Sequence, residues 1–106
     1  MAERSKVKIT VIKKLGTTQI FGKRLPEVAD SVEEVCDALK EGQEFIVPEN
    51  GSYPQGFCTW AWNDIYPEVT TLRLGGNFPF MKKEGMIYSS CSDGVRPVIF
   101  KLERIK

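Results

Sequence analysis

The residues with most chemistry to offer are three cysteines, Cys36, Cys58 and Cys91. Three converging thiolates could hold zinc or iron, with Asp93, Asp64, water or substrate as a fourth ligand. Their spacings are too wide for a sequence-level zinc motif, and no CxxC occurs. Free cysteines are also among the most buried residue types and pack as small hydrophobes. A core role with no metal at all therefore stands beside the zinc or iron reading. Cys58 alone offers a second chemistry. It opens a helical pattern, and aligned amides at a helix N-terminus favour a thiolate. That makes Cys58 the candidate catalytic residue, as nucleophile or redox thiol. The chain has no histidine. The commonest general base and metal ligand is missing, and with it every Ser-His or Cys-His pair.

A third set is polar: Asn63, Asp64, Glu68 and Arg73. Asp64 and Glu68 fall at i,i+4 on a nominal helix, where like charges repel. Convergent carboxylates could bind a cation or move a proton. The plainer reading is a solvated helix face. Trp60 and Tyr66 could wall a planar ligand. Trp60, Trp62, Asp64 and Asp93 are the ligand-binding candidates.

These residues need elements to position them. Cys58, Ala61, Trp62, Ile65, Val69 and Leu72 make one apolar stripe at helical spacing. Gly75-Gly76 ends it. Pro67 lies inside the stripe and predicts a kink or break at Tyr66-Pro67, with a second short helix after it. Residues 31–40 predict another helix. Ser31 and Glu34 fit a capping box there, Gly42 stops it, and Cys36 points inward from it. Losing the Ser31 side chain would then cost ~1 kcal/mol.

Strand patterns surround these helices. Val7, Ile9 and Val11 alternate with polar neighbours. Residues 18–21 predict a short second strand. Residues 44–47, 86–91 and 97–105 predict three more. Ser92-Asp93-Gly94 marks a hairpin turn, and Pro97 marks an edge or bulge. The order ββαβααββ implies an α+β fold. Its sheet is mainly antiparallel, open or curled toward a partial barrel, with two to three helices on one face.

Composition bounds the rest. A chain of 106 residues fits a single domain, 1–106. A net charge of +1, with dispersed basic residues, gives no case for nucleic acid. No apolar run is long enough to span a membrane. Three free thiols and no apolar leader point to the cytoplasm.

Several blocks in order resemble a family of small bacterial and archaeal proteins of unknown function with recurrent cysteines. They begin with Lys6-Val7-Lys8-Ile9-Thr10-Val11 and Cys36 ahead of Gly42 and Phe45. Gly56-Phe57-Cys58-Thr59-Trp60-Ala61, Ile65-Tyr66-Pro67 and Gly75-Gly76 follow. Cys91-Ser92-Asp93-Gly94 and Val98-Ile99-Phe100-Lys101-Leu102-Glu103-Arg104 close the set. The resemblance implies that all three cysteines matter, as a thiol or metal site, and supplies no activity.

Three functions follow from the sequence. The first is a binding module or accessory protein with a cysteine-based thiol or metal site for a small molecule or protein. The second is a thiol-dependent enzyme using Cys58. The third is an interaction subunit docking through residues 77–81, onto a partner or as a homodimer.

Overall fold

Alternation of apolar side chains builds the sheet. The computed structural model describes residues 4–105. Strand β1 is Lys6–Lys14, and its Val7, Ile9 and Val11 are fully buried. A short helix α1 (Thr17–Phe21) follows, then β2 (Glu44–Val47), the long helix α2 (Thr59–Arg73), β3 (Met86–Ser90) and β4 (Val98–Ile105). The sheet order is β2-β1-β4-β3, with every pairing antiparallel. The fold is therefore α+β. The sheet is open, with β2 and β3 as its edges, and does not curl into a barrel. Two helices form among the described residues. No described helix is long and apolar enough to cross a membrane.

One face of the sheet meets α2. Val98, Phe100 and Leu102 of β4 join the β1 residues, and Ala61, Ile65, Val69 and Leu72 of α2 close over them. The predicted apolar stripe is the face that packs. The opposite face of the sheet carries the ion pairs of Lys8 with Glu44 and Glu103. Register slips between Val11 and Lys13, where Ile12 is the extra residue of a bulge. Pro97 stands just outside β4, across from Leu15, whose N–H donates to the Pro97 carbonyl at 2.9 Å. Because it precedes the strand, β4 can be central, although proline there predicted an edge.

Three local expectations are corrected. Residues 18–21 form α1, not a strand. Gly16 N–H donates to the Gln19 Oε1 at 3.3 Å, and Gly22 closes the helix in a left-handed conformation. Residues 31–40 form no helix. Two long-range groups take the atoms a helix there would use. The Arg24 guanidinium donates to the Val32 carbonyl at 2.8 Å, the acceptor that the Cys36 amide would need. The Glu34 carboxylate accepts from Thr18 N–H at 2.7 Å and Thr18 Oγ1–H at 3.0 Å. Glu34 does cap a helix, but it caps α1. Finally, α2 runs unbroken through Pro67. The carbonyl that Pro67 leaves without a donor belongs to Asn63, which is exposed, so water can satisfy it.

The predicted stop at Gly75-Gly76 is present in full. Gly75 N–H donates to Leu72 O and Gly76 N–H to Thr71 O, the two bonds of a Schellman motif. Gly75 has φ +92°. Replacing Gly75 with Ala should lower stability by about 1–2 kcal/mol, the cost of a left-handed side-chain-bearing residue. Replacing Ser31 with Ala should leave stability within about 0.5 kcal/mol, since Ser31 caps nothing. Urea unfolding of the two variants separates these outcomes.

Candidate functional site

Three stretches of chain, remote in sequence, meet at the N-terminal end of α2. Between them lies a cavity of about 190 Å³. The first wall is the arm joining α1 to β2, which contributes Cys36, Asp37, Ala38 and Leu39. The second is the start of α2, with Cys58, Trp60 and Ala61. The third is the β3–β4 connection, with Cys91, Asp93 and Arg96. Val98 and Phe100 of β4, both buried, form the floor. All three cysteines are thus brought to one space, and all three are free thiols, half-buried.

Each wall has a local cause. Phe57 is 3% exposed, and its ring lies edge-on to Phe45 at 5.0 Å and against Phe100 at 5.4 Å. That fixes the next residue, Cys58, as the N-cap of α2. The Cys58 thiol makes no capping hydrogen bond. Leu39 is buried and pins the arm beside Cys36. The arm is further held by Thr17 at the start of α1, whose N–H donates to Glu34 O at 3.1 Å while its Oγ1–H donates to Val95 O at 2.8 Å.

The β3–β4 connection is held from two sides. On its inner side, the Cys91 and Val98 backbones bond, and Val98 N–H also donates to the Cys91 sulfur at 3.3 Å. On the α2 side, Ser92 is clamped. The Trp60 indole N–H donates to Ser92 Oγ at 2.6 Å, and Ser92 N–H donates to the Asp64 carboxylate at 2.7 Å. One turn further along α2, the Glu68 carboxylate accepts from Ser89 Oγ–H at 3.0 Å. Trp60, Asp64 and Glu68, spaced by four, therefore fasten the helix to the hairpin.

Asp93 organises the connection itself. Its Oδ1 accepts from the amides of Val95 and Arg96, and its Oδ2 meets Arg96 Nε at 3.3 Å. Burial alone would push this carboxyl up. The two amides and the guanidinium outweigh burial and hold it below the ordinary carboxylate range.

The sequence candidates are distributed as follows. Cys36, Cys58, Cys91, Trp60 and Asp93 line the cavity. Trp62 does not. It packs edge-on to Phe57, Tyr53 and Tyr66 on the core side of α2. Asp64 is outside the lining and holds Ser92. The polar set Asn63, Asp64, Glu68 and Arg73 does not converge. Arg73 is buried at the far end of α2, where its Nη1 donates to Glu49 O, and Gly51 leaves room for the guanidinium. Loop 77–81 is split. Phe78 and Met81 pack on the core, while Phe80 is 75% exposed.

The thiols line one cavity from three different walls without forming a ready ligand set. Among the described residues, no three Cys, Asp or Glu side chains are grouped closely enough to hold a metal ion. The reading of the residues did not single out Arg96. Its signal was the i,i+3 spacing to Asp93 across a turn, where an ion pair can form.

A pH prediction follows from Asp93. Its folded acidity is stronger than that of the unfolded chain, so its contribution to stability is complete above about pH 4. The contribution disappears as pH falls through the lower folded value. Asp93→Asn should lower stability near neutrality and flatten the fall between about pH 6 and pH 3. Urea unfolding at both pH values checks it: an equally steep acid loss in the variant would contradict the assignment.

No family model, curated protein or solved structure matches this chain, so the functional reading rests on the site's own geometry.

Proposed function

We propose that this chain is a small-molecule-binding module whose site is the thiol-lined cavity at the N-terminal end of α2. The observation that carries the reading is the arrival of Cys36, Cys58 and Cys91 on one wall system around about 190 Å³ of space. An apolar cavity of about 150 Å³ admits a benzene ring, so this one takes a compact organic body. Its floor is apolar and its rim carries a few polar groups, the usual make-up of a ligand site. The three unpaired thiols suit a reducing compartment, and the cytoplasm is the proposed location. The sulfurs act as polarizable wall atoms at the ligand's edge.

The test uses three variants, each keeping one cysteine and carrying serine at the other two positions. Fragments that shift the Trp60 indole and Ala61 amide NMR signals are first found with the unmodified protein. Each variant is then blocked with N-ethylmaleimide. Fragment binding should be lost whichever thiol carries the adduct. Loss at one cysteine alone would mean that the thiols do not border one site. Shifts confined to other parts of the chain would refute the cavity as the binding site.

A further inference from the structure

We propose that the ligand of this cavity is an organic monoanion, a ring-sized apolar body bearing one carboxylate, and that Arg96 is its anchor. The inference rests on the reading of the cavity as the binding site. Its argument begins with the guanidinium. Arginine offers five donors in a planar fork. Arg96 uses Nε on Asp93, and among the described residues neither Nη nitrogen has a hydrogen-bond partner. A guanidinium held by its Nε edge presents the two Nη groups together, the geometry that takes a carboxylate bidentately. Asp93 is held ionised by Val95 N–H, Arg96 N–H and Arg96 Nε. It positions Arg96 and offers a ligand no donor of its own.

A second feature of the same cavity agrees in sign. The first-turn amides of α2 have no intrahelical acceptor. The Cys58 side chain does not cap them, and the first turn contains no acid. The residues at that end, Cys58, Trp60 and Ala61, line the same cavity as Arg96. A helix of 15 residues places partial positive charge there. The other carboxylate on the wall, Asp37, is exposed, and solvent screens it. The rest of the ligand meets Leu39, Ala61, Val98 and Phe100, all buried and apolar. Charge at one end and hydrocarbon at the other describe an amphiphilic small acid.

The experiment compares benzoate with benzamide, the same ring with and without charge, on the full chain by NMR shifts of the Trp60 indole and the Arg96 side chain. Benzoate should bind at least tenfold more tightly than benzamide. Arg96→Gln should remove that preference, and Arg96→Lys should restore part of it. Equal binding of the two probes at the cavity overturns the anionic ligand and leaves the binding-site reading standing. Absence of shifts at the cavity with either probe overturns both. The ratio measured on the unmodified chain decides the matter even if the variants fold poorly.

Discussion

The seating of the Phe57 ring decides where everything else at the site can stand. Phe57 is the residue before the N-cap of α2, and it lies between Phe45 of an edge strand and Phe100 of a central one. Each such aromatic pair contributes about 0.5–1.5 kcal/mol beyond simple burial. Emptying a buried phenylalanine position costs about 3–5 kcal/mol. That is a large share of the roughly 5–15 kcal/mol that holds a domain folded. With Phe57 in place, the helix N-terminus has one position over the sheet. Cys58, Trp60 and Ala61 then face the space above Val98 and Phe100. Had the ring been free, the helix could slide along its apolar stripe, and the cavity would have no fixed wall.

A second constraint converts this anchor into a site. Helix and hairpin approach from different parts of the chain, and apolar packing alone would not set their relative height. Ser92 does. It receives the Trp60 N–H on its side chain and gives its own N–H to Asp64. These contacts are directional, so they fix Cys91 and Asp93 relative to the first turn of α2. Asp64 and Glu68, the carboxylates that suggested a cation site in the sequence, instead fasten the helix to Ser92 and Ser89 of the hairpin. A carboxylate at Asp64 is well suited to it, since a charged acceptor strengthens a hydrogen bond to a backbone amide.

The sequence made the fold legible where one periodic face met one core. The stripe from Ala61 to Leu72 and the alternations in β1 and β4 are local records of burial. The Gly75-Gly76 stop was legible because its bonds join residues within one turn of each other. Reading failed between residues 15 and 43. There the partners are remote: Glu34 reaches Thr18, and Arg24 takes the Val32 carbonyl. A capping box and a long-range cap use the same residue types, and only the fold tells them apart. Pro67 misled for a related reason. Its cost falls on one carbonyl, and that carbonyl lies at exposed Asn63 where water can reach it. That Cys36, Cys58 and Cys91 border one cavity had no local signal in the sequence; the packing of Leu39 and Phe57 brings their segments there, without grouping the three thiols closely enough for a metal among the described residues. Trp62 belongs to the apolar stripe and Trp60 lies off it; a spacing of two places them on different sides of the helix, and of these two ligand-binding candidates only Trp60 lines the cavity.

The side chains around the cavity explain why the space exists. Cys36, Ala38, Cys58, Ala61 and Cys91 are all small, and they come from three separate segments. Protein interiors are close-packed, and an unfilled space forgoes contacts that its lining atoms would otherwise make. A domain of about a hundred residues has little stability in reserve. Longer aliphatic chains at two or three of these positions would close the gap and add contacts to the core. The fold instead keeps the gap beside Arg96, whose two Nη nitrogens have no hydrogen-bond partner among the described residues, and beside first-turn amides that the Cys58 side chain does not cap. Packing energy thus argues against the space, and the polar groups bordering it are left with donors to spare. Both features are accounted for together when an apolar body fills the volume and an acceptor on it meets those donors.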